Sequence, residues 1–249
     1  MGEGKWMIRT YRSGSVVEES KFWVPDRSTP RSKRKASATP RKQDQNDRDA
    51  VKRLARLINC NFRPEDMWIT LTYSPEGFPG LEGTDPDEAK ARAEHDLTLY
   101  LRRLKRDMEK LGVEWRYIAL TSDMDGKTGE LIRPHHHIIM SRAAYELCRD
   151  NWSLGTVDMQ TLRHQADFLS LAVYLIKQVR RKPDAKKWRC SRGLKKPVVT
   201  ERIVSRCAPL KNPAGTELLA EGPWDRERGE HYIRYVDKRS NKQRKGGGG

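Results

Sequence analysis

Cysteine is scarce and scattered in this chain. The four present among 249 residues (Cys60, Cys148, Cys190 and Cys207) form no CxxC pair, which argues against a zinc ribbon and a disulfide-built scaffold. A reducing, intracellular setting is the default. Long apolar runs are also missing: no window approaches the ~18 consecutive apolar residues of a membrane span, so no membrane role is expected. The opening residues MGEGKWMIRTYRSG lack an apolar stretch followed by a small-residue cleavage site, so secretion is not expected and the cytoplasm is. No Walker-type GxxxxGK[ST] loop is present, so no fused helicase is expected. Acid is in short supply. Thirty-four Asp and Glu face 50 Lys and Arg, for a formal charge of +16. That excess points to a polyanionic partner, nucleic acid first, without separating an enzyme from a passive binder. Hydrophobic residues at 36% suffice for one modest core with polar extensions.

Along the chain, residues 5–24 read as two β-rich runs around Ser13-Gly14, a hairpin signal. Residues 25–50 lose their apolar residues to Pro, Ser, Lys and Arg, and read either as a flexible basic arm or as a solvated loop. A short helical pattern spans Ala50 to Ile58, and Asp66 to Tyr73 is a β-rich run. Asp85, Pro86 and Glu88 start a helix on which Leu97, Leu101, Leu104, Met108 and Leu111 recur at helical spacing before Gly112. Strands are expected at 114–121, 134–140, near 155–159 and at 197–204, with helices at 143–151 and 165–182. From Arg226 to Lys245 the sequence is again basic. The order of elements predicts an α+β fold, an antiparallel sheet with helices packed on it. Three segments are expected: a hairpin and basic linker at 1–50, a central domain at 51–205, and a basic extension at 206–249.

Half of the six histidines fall together at His135, His136 and His137. Side chains alternate along a strand, so His135 and His137 share one face, about 7 Å apart along the chain, and can converge on one divalent ion. A third ligand is wanted. Antiparallel hairpin geometry nominates Asp123 at the end of the preceding strand. Asp125 and Glu130 are rivals in the loop, and the register between Ser122 and Asp123 is open.

On the helix expected at 165–182, Asp167, Ser170, Lys177, Gln178 and Arg181 fall within about 60° of Tyr174 on a wheel of ~100° per residue. Around this polar stripe the helix is apolar, which suits a stripe facing a cleft between covering elements. A phenol, with a pKa near ~10, is a poor nucleophile at neutral pH, and Lys177 three residues on can favour the phenolate.

Trp68-Ile-Thr-Leu-Thr-Tyr73, Arg133-Pro-His-His-His-Ile-Ile-Met140 and Tyr174-Leu-Ile-Lys177 match, in order and rough spacing, the three motifs of the HUH endonucleases. The chain resembles in particular the rolling-circle replication initiators of phages and plasmids, over about residues 60–205. The resemblance implies a central five-stranded antiparallel sheet carrying the HxH pair, with the tyrosine helix beside it. It implies that Tyr174 attacks a DNA phosphodiester, leaving a 5′-phosphotyrosyl intermediate and a free 3′-hydroxyl, with Mg²⁺ or Mn²⁺ held by His135, His137 and a third ligand such as Asp123. Single-stranded DNA and origin hairpin DNA are the implied partners, with host polymerase and helicase in a bacterial cell. The middle HxH residue is usually bulky and apolar in this family, whereas here it is His136. Positions 170, 171 and 178 hold no second tyrosine, which implies a single-tyrosine enzyme. Arg133, Gln178, Arg180, Arg181 and Lys182 are the candidate DNA contacts. A related transposase or relaxase, a nuclease using activated water, and a non-catalytic basic nucleic-acid binder are the alternatives.

Overall fold

A computed structural model describes residues 4–26, 40–78, 84–180, 186–204, 208–225 and 230–238. Its elements, in chain order, are β1 (Gly4–Ser13), β2 (Val16–Pro25), α1 (Pro40–Asn61), β3 (Met67–Leu71), α2 (Pro86–Lys110), β4 (Tyr117–Met124) and β5 (Leu131–Met140). There follow α3 (Tyr145–Asp150), β6 (Val157–Thr161), α4 (Leu169–Lys177), β7 (Arg189–Cys190), β8 (Val198–Val204), β9 (Glu217–Glu221) and β10 (His231–Val236). The class is α+β, as expected. Among the described residues there are two five-stranded antiparallel sheets, ordered β8-β1-β2-β10-β9 and β6-β3-β5-β4-β7.

The sheets belong to two compact units. One contains the β1–β2 hairpin, Asn59–Asn61 and the chain from Lys195 onward; the other contains 40–58 and 62–194. This grouping differs from the three segments expected at 1–50, 51–205 and 206–249. Three assignments change with it. The strand expected at 197–204 forms, but as β8 it pairs with β1, and the fifth strand of the histidine sheet is the short β7. The C-terminal stretch read only as basic contains β10, where Ile233, Tyr235 and Val236 are buried against β2. Helix α1 starts at Pro40, inside the segment read as a linker, while 27–39 lie outside the described residues.

In the histidine unit, α2 forms where its start signals lie. The Asp85 carboxylate accepts a hydrogen bond from the Asp87 amide (2.8 Å), Pro86 fits the first turn, and Gly112 at φ 66° follows the end. Its buried stripe of Ala93, Leu97, Tyr100, Leu104 and Met108 packs with Ile69, Leu71, Ala119, Ile138 and Met140 of the sheet. The opposite face is covered by Leu54, Ala55 and Ile58 of α1 and by Ala172, Leu175 and Ile176 of α4, which pack with Ile118, Leu120 and Ile139. Arg102, Lys105, Arg106 and Lys110 of α2 stay exposed, as a solvated cationic face does.

The end of β3 is fastened to the start of β6 by reciprocal bonds between Thr72 and Thr156, with Gly155 in close approach. A Cβ on Gly155 would sit 2.1 Å from the Thr72 carbonyl oxygen and 2.7 Å from the Ser74 nitrogen, both backbone atoms that cannot swing aside. Gly155→Ala is therefore expected to cost about 1–3 kcal/mol through overpacking. Thermal unfolding by circular dichroism checks this, and an unchanged melting temperature contradicts the close approach.

Candidate active site

Strand β5 turns one face toward α2 and the other toward α1 and α4, so the period of two divides the three histidines. His136 goes to the α2 side, where it is fully buried. Its Nδ1 lies 3.1 Å from the Thr121 hydroxyl and its Nε2 lies 3.0 Å from the Tyr73 hydroxyl. Tyr73 in turn donates to Asp96 (3.2 Å). One consistent assignment has Thr121 donating to Nδ1 and Nε2–H donating to the Tyr73 oxygen. Burial pushes the His136 pKa down to about 3 and pushes the Tyr73 phenol up. This polar chain beside Trp152 explains how a histidine is accommodated fully buried on the α2 side.

His135 and His137 face the α4 side together, with their Nε2 atoms 3.1 Å apart. His137 pairs across the sheet with Thr70 and Leu120, and His135 with Ser122. The Thr70 hydroxyl lies 3.3 Å from His137 Nδ1, and Trp68 stacks on the His137 ring at 4.8 Å and 25°. Burial lowers the pKa of both rings, that of His137 to about 3. Both imidazoles are thus neutral near pH 7, as ligands must be. The Gln178 side-chain amide lies close enough to both rings to draw each pKa partly back up.

The donor set fits a divalent cation. Two donors bonded to one ion at ~2.1–2.2 Å, at roughly 90–110°, lie about 3.0–3.5 Å apart, and the two Nε2 atoms meet that condition. Thr70 anchors the outer nitrogen of His137, the arrangement metal-binding histidines commonly show. Ser122, directly across from His135, has a fully buried hydroxyl with no partner among the described residues, which a hydrated ion would satisfy.

The third position is where expectation and placement part. Among the described residues, no three His, Cys, Asp or Glu side chains group closely enough to hold a metal. Asp123 lies at a register shift in β4, with its side chain only 4% exposed. Its Oδ1 accepts from Lys90 Nζ (3.0 Å) and the Arg180 amide (3.1 Å), and its Oδ2 from Arg180 Nε (3.1 Å). Asp125 caps the β4–β5 turn, accepting from the amides of Lys127 (2.6 Å) and Thr128 (3.0 Å), and Glu130 accepts from the Thr128 hydroxyl. Gln178, read from the sequence as a DNA contact, is instead buried at the end of α4, on the histidines' side of the sheet. Its spacing of four from Tyr174 was the available signal.

Helix α4 spans Leu169–Lys177, shorter than the 165–182 expected. Tyr174 is 51% exposed, its ring 5.7 Å from that of His137 and 6.2 Å from that of Trp68. Ser170 and Lys177 are exposed beside it, as the polar stripe required. Arg133 is exposed and reaches the Tyr73 carbonyl at 3.4 Å. Arg180 is engaged by Asp123, by Asp87 (2.5 Å) and by the Pro86 carbonyl (3.2 Å). Arg181 and Lys182 lie outside the described residues.

This strand-borne histidine pair with a helix-borne tyrosine, on a five-stranded antiparallel sheet, is consistent with the HUH nuclease fold. Residues 66–182, a little under half of the chain, match the family model described as Replication-associated protein ORF2/G2P. No curated protein and no solved structure matches. The matching region takes in β3, the histidine strand and the tyrosine helix.

The division of the histidines yields a clean test. His135→Ala and His137→Ala are expected to abolish Mn²⁺ binding by calorimetry with little change in melting temperature. His136→Ala is expected to keep Mn²⁺ binding but to lose about 1–3 kcal/mol of stability or more, because Tyr73 and Thr121 are left with an unmet buried partner. The reverse pattern contradicts the assignment of faces.

Proposed function

We propose that the protein is a rolling-circle replication initiator that nicks and rejoins single-stranded origin DNA through Tyr174. The observation that carries this reading is the exposed Tyr174 phenol standing beside the paired Nε2 atoms of His135 and His137. The Tyr174 oxygen attacks the phosphorus, and a Tyr–O–P bond forms as the bond to the 3′-oxygen breaks. The strand then carries a 5′-phosphotyrosyl link to the protein, and the departing oxygen takes up a proton to become a free 3′-hydroxyl. Attack by a 3′-hydroxyl reverses the step without ATP, because the link conserves the diester energy.

His135 and His137, with Gln178 Oε1 rather than Asp123 as third donor, would hold Mn²⁺ or Mg²⁺. When bound, the ion supplies polarisation of a non-bridging phosphate oxygen. Two imidazole nitrogens tilt the preference toward Mn²⁺. Lys177 stabilises the Tyr174 phenolate and the charge that develops on the phosphate. Trp68 braces the His137 ring by stacking on it. Exposed Arg133 and Lys177 are the described cations placed to meet the strand. Arg180, with its guanidinium committed to two carboxylates, is assigned a structural role. Origin hairpin DNA is the substrate, and host helicase and polymerase, in the bacterial cytoplasm, would open and extend it.

Incubation with labelled single-stranded DNA and Mn²⁺, followed by a denaturing gel, tests the reading. A protein-linked band is expected for the native chain and none for Tyr174→Phe, whose DNA binding persists. Lys177→Met is expected to slow nicking by roughly 10²-fold, the scale of one lost transition-state charge contact. Nicking that survives Tyr174→Phe would show a water nucleophile instead. Binding without nicking on every origin substrate would leave a passive binder.

A further inference from the structure

Three charged side chains around the end of α4 are not used by the proposed chemistry, although they lie next to it. Lys90 and Arg180 both pair with Asp123, and all three are largely buried, at 13%, 21% and 4% side-chain exposure. Their bonds join three elements. Lys90 and Asp87 come from the first turns of α2, Asp123 from the end of β4, and Arg180 from just beyond α4.

Gln178 sits at the centre of this junction. Its carbonyl accepts from the amides of both Asp123 (3.1 Å) and Met124 (3.2 Å). Two residues on, the Arg180 amide returns a bond to the Asp123 carboxylate (3.1 Å). The side chain is confined as well. Its Nε2 reaches the Tyr174 carbonyl at 3.4 Å, and its Cγ lies 3.3 Å from where a Cβ on Gly126 would stand. With the nitrogen end on its own helix, the oxygen end is left for the histidines.

We infer that Asp123 is a positioning residue: with Lys90 and Arg180 it clamps the end of α4 onto β4 and so holds the Gln178 amide against His135 and His137. The inference rests on the His135–His137–Gln178 donor set proposed above. It explains why an acid at the expected ligand position is fully engaged by cations. It also has a signature that an electrostatic role lacks. Lys90 and Arg180 are positive, so their field alone opposes a nearby dication, and removing either raises metal affinity. A clamp gives the opposite sign.

The test is Mn²⁺ titration of the full chain, followed by electron paramagnetic resonance of the free ion. Lys90→Met and Arg180→Ala are each expected to weaken binding by about 10-fold or more, the scale of lost outer partners of metal ligands. In a Gln178→Ala background neither is expected to weaken it further, because the clamp acts through Gln178. Affinity that rises or holds in the single variants overturns the clamp, as do losses that add in full to that of Gln178→Ala. Hydrogen exchange of the metal-free protein separates the two readings. The amides of Asp123, Met124 and Arg180 are expected to exchange faster in Arg180→Ala, and unchanged exchange overturns the clamp. If exchange quickens but Gln178→Ala leaves Mn²⁺ affinity unaltered, the donor set falls, and with it the positioning role toward the histidines.

Discussion

Two backbone amides at the end of β4, those of Asp123 and Met124, converge on one carbonyl at the end of α4, that of Gln178. The rest of the site depends on this contact. It fixes the height of α4 over the sheet and therefore where Tyr174, one turn earlier, stands relative to the histidine strand. The register shift after Ser122 is what frees these amides to leave the β5 ladder and point at the helix. Without it, β4 would spend them on its neighbour, and the backbone tie between strand and helix would be lost.

The sheet supplies the second constraint. Ile138 and Ile139, which follow the histidines, are buried on opposite faces, in the α2 core and in the α1–α4 core. A slip of one residue in β5 would exchange those faces and turn His136 toward the tyrosine. Burial on both sides therefore does more than stabilise the strand, because it selects which two imidazoles meet. It also lowers the pKa of both rings, which in the proposed reaction leaves them as nitrogen donors that add no positive charge beside the phosphate.

Much of this was legible in the residues. The alternation around Trp68–Tyr73 and His135–Met140 and the capped start of α2 are local signals that formed where they were written, and the polar stripe through Tyr174 formed in part, with Ser170 and Lys177 exposed on a helix shorter than expected. What was not legible came from contacts between segments distant in sequence. Asp123 looks like a ligand because hairpin geometry puts it near His135. Nothing nearby in sequence reveals that Lys90 and Arg180, 33 and 57 residues away, occupy its carboxylate. Likewise, the strand at Val198–Val204 was visible from its β-branched residues, but its partner was not, because pairing with β1 is decided across almost the whole chain. The strand β10 was hidden by composition: basic neighbours outweighed the Tyr-Ile-Arg-Tyr-Val pattern that buries it.

In the proposed site the helix, through Gln178, completes a metal site begun by the strand. A crystal structure with Mn²⁺, located by its anomalous scattering, tests this most directly. The account predicts one ion within about 2.0–2.3 Å of His135 Nε2, His137 Nε2 and Gln178 Oε1, with Asp123 still paired to Lys90 and Arg180. An ion bound to the Asp123 carboxylate, with Lys90 and Arg180 displaced from it, would contradict the account.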